Sequence, residues 1–289
     1  MKTQIKFAAR KSTIRMLWAA LAIAAVVCVP VQAQQMSPGM LDSLVSRIAL
    51  YPDSLLAQVL TAATYYDQIP DAAAWADQHR NMQGDDLAAA IQADNPPWDP
   101  SVLALLPFPS VLDGMARDMS WTQALGEAVL NSRDAVMDAI QRMRHKAYDA
   151  GNLADTPQDN VQADGPVLQI VPVDPGVIFV PVYDPYWIYA RPRPGFVASI
   201  SFGAPTFIVA NFAAFGWRAP HFDWRAHTVI IDNHVWERNA SNRASYAHVY
   251  RAPLPRRPSA GQYRETHPVP PARAAHPEGG APLKKEWRR

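Results

Sequence analysis

The chain has 289 residues and carries 27 lysines and arginines against 26 aspartates and glutamates, a formal charge of +1. That balance excludes a uniformly basic nucleic-acid binder, and a single cysteine excludes a disulfide-built scaffold. With 49% hydrophobic residues, the chain is long enough to bury a substantial core.

The first 33 residues read as a secretory leader. Lys2, Lys6, Arg10, Lys11 and Arg15 precede the uncharged apolar run Met16–Val29, and Val31-Gln32-Ala33 offers small residues at a cleavage position. The run is too short for an ordinary membrane span, which needs about 20 apolar residues. Val26 and Val27 stand before Cys28 where a lipoprotein signal wants small side chains. Export to the periplasm or the outer membrane is therefore expected. Cleavage after Ala33 would leave a chain without cysteine and without a membrane-spanning segment. Loss of the five leader bases would take its formal charge from +1 to −4.

That charge is segregated. Residues 34–165 hold 18 acids and 7 bases, residues 166–250 hold 5 and 6, and residues 251–289 hold 3 and 9. Three regions of different physics follow, and the expected class is α+β: a helical module over 34–151, a linker over 152–165, a small antiparallel strand-rich module over 166–250, and a disordered basic tail.

Helices are expected wherever a proline or an acid opens an apolar periodic run. Leu41, Leu44, Val45, Ile48 and Ala49 share a face, Pro52 opens the run Leu55–Ala63, and Pro70 opens the next. Gly84 separates a further helix, Asp99-Pro100 pairs an N-cap with a first-turn proline, and Phe108-Pro109 begins another. The longest is predicted over Trp121–Tyr148, capped by Ser120 and Gln123 and stopped at Gly151.

From Gly165 the pattern changes to short β-branched and aromatic runs: Val167–Val173, Val177–Val182, Phe196–Phe202, Thr206–Ala210 and Thr228–Trp236. Val173-Asp174-Pro175-Gly176 predicts a tight turn with its flanking runs paired as a hairpin. Pro181 and Pro185 cannot donate to a ladder, so the segment Tyr183–Tyr189 is expected to cover a surface instead of pairing fully. Residues 251–289 contain eight prolines and almost no aliphatics, too little apolar surface to offset the entropy of ordering.

Four stretches together resemble the bacterial family called domain of unknown function 3300: "IALYPDSLLAQVLTAATYYDQI" (48–69), "PPWDPSVLALLPFPSVLDGM" (96–115), "WTQALGEAVLNSRDAVMDAIQRMR" (121–144) and "VDPGVIFVPVYDPYWIYA" (173–190). The likeness covers residues 40–190. It weakens afterwards, where family members tend to be glycine-rich. It implies an exported envelope protein, helical first and strand-rich later, and it carries no catalytic residue and no cofactor.

Two constellations are candidates for chemistry or recognition. In "HFDWRAHTVIIDNHVWER" (221–238), extended backbone would place His221 and Asp223 on one face and Asp232 and His234 on another shared face. Two such pairs are the donor types of a zinc hydrolase, although the spacing fits no standard metal motif. The plainer reading has these residues capping turns at the rim of a small sheet. No serine sits in a nucleophile elbow, and no glycine loop suits a phosphate. The second candidate is the aromatic set Tyr183, Tyr186, Trp187 and Tyr189, a surface for an envelope protein or polymer, with Tyr186, Trp187 and Tyr189 expected to be partly exposed. The nine bases of the tail suit weak, salt-sensitive contact with anionic envelope polymers. A non-catalytic binding or assembly factor is the favoured expectation, with a metal-dependent hydrolase and a purely structural protein as alternatives.

Overall fold

The computed structural model describes residues 36–191, 198–207 and 220–246. The chain divides into two units, Met1–Ala252 and Pro253–Arg289, and every described residue belongs to the first. The predicted leader and basic tail lie outside the described residues.

Among the described residues, seven α-helices precede the strands: α1 (Pro38–Val45), α2 (Asp53–Ala63), α3 (Ile69–Gln78), α4 (Gly84–Asp94), α5 (Pro100–Leu103), α6 (Pro109–Arg117) and α7 (Met119–Asp149), with a short 3-10 turn at Tyr66–Gln68. Their starts follow from local chemistry. Ser37 Oγ accepts from the Met40 N–H ahead of a first-turn proline, and Asp99 does the same for Ser101 ahead of Pro100. Helix α7 starts two residues earlier than predicted, because Asp118 and not Ser120 is its N-cap. The Asp118 carboxylate accepts from the Trp121 N–H, and Ser120 donates its hydroxyl to the same carboxylate. A hydrogen bond from Arg47 and these two contacts hold the Asp118 carboxyl below the usual range. The helix stops as expected: Gly151 sits at φ +73°, with Asn152 N–H on Ala147 O and Gly151 N–H on Tyr148 O.

Helix α7 is packed tightly against α2. A Cβ placed on Gly126 would lie 2.1 Å from the carbonyl oxygen of Ala63, so only glycine permits this approach. Further along, Ser132 leaves helical geometry (φ −154°, ψ 59°) and kinks α7. There the Leu130 carbonyl accepts from the Ala240 N–H.

The expected antiparallel strands are present but short. They are β1 (Asp159–Asp164), β2 (Val167–Pro172), β3 (Val177–Ile178), β4 (Pro181–Val182), β5 (Ser201–Phe202), β6 (Thr206–Phe207), β7 (His221–Asp223), β8 (Thr228–Ile231) and β9 (His234–Val235). They pair as β1–β2, β3–β6, β4–β5 and β7–β8–β9. Strand β1 occupies much of the stretch predicted as linker. Its polar sequence hid it, since Val161 is its only β-branched residue. A tight turn forms one residue later than predicted, at 174–177, with Val177 N–H on Asp174 O, yet the runs beside it do not pair with each other. β2 pairs back to β1, while β3 turns away to β6.

Predicted strand Thr228–Trp236 is a hairpin instead. Asp232 (φ +52°) and Asn233 (φ +62°) make the two-residue turn between β8 and β9 in the left-handed conformation that these side chains tolerate. Tyr183–Tyr189 contains a helical turn, α8 (Pro185–Ile188), with Asp184 accepting from the Tyr186 N–H.

Side chains from the helices complete the outer edge of β2. Gln141 accepts from Leu168 N–H and donates to Leu168 O, Arg144 donates to the same carbonyl, and Asp53 accepts from Ile170 N–H. Arg144 is fully buried. Its guanidinium pairs with Asp53 at 2.7 Å, donates to Ala49 O and Tyr51 O, and stacks 5.0 Å from the Trp224 ring. Trp224 in turn donates to Asp53 at 2.9 Å. One buried ion pair thus joins α2, α7, β2 and the segment after β7. The main hydrophobic cluster likewise combines helical residues such as Leu56, Leu112 and Ile140 with Val167, Ile178, Val229 and Trp236.

Candidate functional site

The predicted aromatic residues have divided roles. The Tyr183 hydroxyl accepts from Leu50 N–H at 3.2 Å, and the Tyr189 hydroxyl donates to Ser46 O at 2.7 Å. Both grip the turn after α1, and burial pushes both phenols well above their ordinary pKa. Tyr189 is half-buried, its ring edge-on to Tyr183. Tyr186 is 73% exposed and meets half-buried Trp187 at right angles, ring centres 4.8 Å apart. Tyr186 and Trp187 are the pair that α8 presents outward.

The His/Asp set does not converge. His221 and Asp223 do share the exposed face of β7. Facing residues of adjacent strands lie on one side of a sheet and successive residues alternate. His221 opposes Ile230, whereas His234 opposes the next residue, Ile231, so the two histidines lie on opposite faces. Asp232 is a turn residue at φ +52°, not an extended neighbour of His234. Each has a local role: Asp223 accepts from Arg225 and Ala226 N–H, and His234 Nδ1 lies 2.7 Å from Asp232 O. His227, also left-handed, reaches Asp138 at 2.9 Å. Among the described residues no group of three or more histidines, cysteines or carboxylates is arranged to hold a metal ion.

What sequence reasoning missed is a cleft of about 300 Å³ between the α3–α4 turn, the start of α6 and the β6 region. Leu87, Leu106, Phe108 and Val180 are buried members of its lining. Met82, 42% exposed, and Phe207, 50% exposed, stand on opposite walls. His79 is fixed at one end: its Nδ1 donates to Trp75 O at 2.8 Å, its ring stacks on Trp75 at 3.8 Å, and its Nε2 lies 4.0 Å from Asp94. The Trp75 indole donates to the same Asp94 carboxylate. The buried floor of Leu87, Leu106, Phe108 and Val180 suits recognition of an apolar group. The only sequence signals were Met82 in a polar turn and Phe207 in the predicted strand Thr206–Ala210, whose residues 208–210 lie outside the described residues.

Other perturbed groups are buried outside the cleft. Desolvation raises the Tyr51 hydroxyl to about 12 and the Asp159 carboxyl to about 6. Both carboxylate oxygens of Asp159 lack a hydrogen-bond partner among the described residues. Tyr65 is raised too, by burial first and then by Asp99, while the Arg238 guanidinium stacked 3.5 Å over its ring opposes the shift.

No solved structure matches this chain. Among curated proteins it is 33% identical to the uncharacterized protein YacH of Escherichia coli K12, over 54% of this chain and 30% of that relative. The chain thus spans well under half of that relative's length. The family model described as "Protein of unknown function (DUF3300)" matches residues 37–257, beyond the 40–190 seen from the quoted motifs, so the chain belongs to that family.

Proposed function

We propose that the protein is an exported bacterial envelope component, periplasmic or associated with the outer membrane, that works as a non-catalytic binding or assembly factor. The observation that carries the reading is the cleft: apolar side chains at Met82 and Phe207 stay exposed beside a buried apolar floor. An exposed apolar concavity of this kind marks contact with another molecule more often than it marks packing. The basic leader with its apolar run supports export. Among the described residues, no helix is long and apolar enough to cross a membrane.

Tyr186 and Trp187 supply a second outward contact, and the tail bases a weak salt-sensitive one for anionic polymer. A photoreactive phenylalanine analogue at position 207, irradiated in cells, is expected to link to an envelope component. The same analogue at exposed Tyr148, on the far helix, serves as the control. Absence of any adduct specific to position 207 would overturn the binding reading. Mass analysis of the protein recovered from cell fractions tests export, with Gln34 the expected first residue.

A further inference from the structure

We propose that the cleft takes an extended polypeptide segment carrying basic residues beside a short apolar stretch. The inference rests on the binding reading above and names the chemistry of the partner. Although no described lining residue is an acid, acids lie beside the cleft. Arg80 lines it and is ion-paired to Asp77, and Asp94 lies 4.0 Å from His79 Nε2. Asp86 stands two residues after the lining residue Gly84 in the first turn of α4.

Among the described residues, Asp77, Asp86 and Asp94 against the one Arg80 guanidinium leave the rim net negative. It therefore repels an anionic headgroup, and it attracts lysine or arginine flanking an apolar insert. The floor gives that insert a dry seat of Leu87, Leu106 and Phe108. One wall is β6, which among the described residues pairs only with β3. A chain lying extended along such an edge presents alternate side chains to the floor. The volume accommodates roughly two or three side chains, which suits a segment and not a folded domain.

The test is fluorescence polarisation with the purified full chain and the labelled peptide Arg-Leu-Pro-Leu-Pro-Arg. Versions of that peptide with glutamate or glutamine in place of arginine, and dodecyltrimethylammonium as a cationic amphiphile, complete the set. The arginine peptide is expected to bind at least ~10-fold tighter than the glutamate one, and to weaken several-fold between about 0.05 and 0.3 M salt. Phe207→Ser and Met82→Ser are each expected to cost about 5-fold, and Asp86→Asn about 2-fold, in proteins whose melting temperature is unchanged.

Equal binding of the glutamate or glutamine peptide overturns the inference, as does binding of the amphiphile with no peptide binding. If no probe binds while position 207 still links to an envelope component in cells, the inference fails and the binding reading stands. If neither occurs, both fall.

Discussion

The helical and strand-rich regions are held together by different means. Helices α1–α7 bury long apolar stripes against one another, and residues such as Leu55, Leu56, Leu60, Leu105 and Ile140 are wholly inaccessible. Apart from the β1–β2 hairpin, the strands are two to four residues long and pair in small, separate sheets. Isolated pairs of that size are not stable in water. Helix side chains finish the hydrogen bonding of the longer hairpin: Gln141, Arg144 and Asp53 supply the partners that a third strand would give to β2. Arg133 likewise donates to the carbonyls of Trp236 and Arg238, just beyond β9. The helical region is a scaffold, and the strands are its dependants.

Breaking the link between them has the largest expected effect. Arg144→Ala leaves the Asp53 carboxylate buried beside Trp224 and should cost about 3–5 kcal/mol, seen as a lower urea midpoint. If the strands depend on the helices, loss of amide-exchange protection in β8 and loss of helical circular dichroism should follow one common urea transition. Separate transitions would break the comparison. Gly126→Ala should cost roughly 2–4 kcal/mol, because the added methyl meets the rigid Ala63 carbonyl and not a movable side chain.

Asp159, on β1, sharpens the contrast through pH. Its folded-state pKa of about 6 lies above its ordinary 3.8, so folding favours the protonated acid. The stabilisation is complete below the ordinary value and is lost as pH rises through about 6. Asp159→Asn should therefore raise stability at pH 7 by about 1–3 kcal/mol and leave it little changed at pH 4, by urea titration at both pH values. At the small end, Tyr186→Ala should move the melting temperature hardly at all, about 0.5 kcal/mol or less, because the ring is mostly in solvent. A larger loss would mean that α8 carries packing for the core.

Most of the helical region was legible because its signals are local. Pro38, Pro70, Pro100 and Pro109 all lie in first turns, and Gly151 ends α7 where the periodicity stops. The same grammar was present at Asp184-Pro185, but the aromatics around it suggested strand, and the helical turn there was missed. Strand partners were not legible. Whether β2 pairs to β1 or across the 174–177 turn to β3 is decided by what the helices present, such as Gln141 and Asp53, far away in sequence. Arg144 left a trace: it falls in the apolar stripe of Ile140, Met143 and Ala147, where a charge must find a buried partner. The cleft left little trace, since three segments distant in sequence form it.

The kink at Ser132 bears on how the C-terminal part of the described chain stays in place. Where a regular helix would turn its carbonyls inward along its own axis, Leu130 offers one sideways, and Ala240 occupies it. The Ala240 N–H is thus one of the ties that hold residues 236–246 to the bend, beside the Arg133 bonds to the Trp236 and Arg238 carbonyls and the Arg243–Glu127 ion pair. An influence that regularises the helix at 130–136 would loosen that tie, and faster exchange of the Ala240 amide hydrogen is its signature.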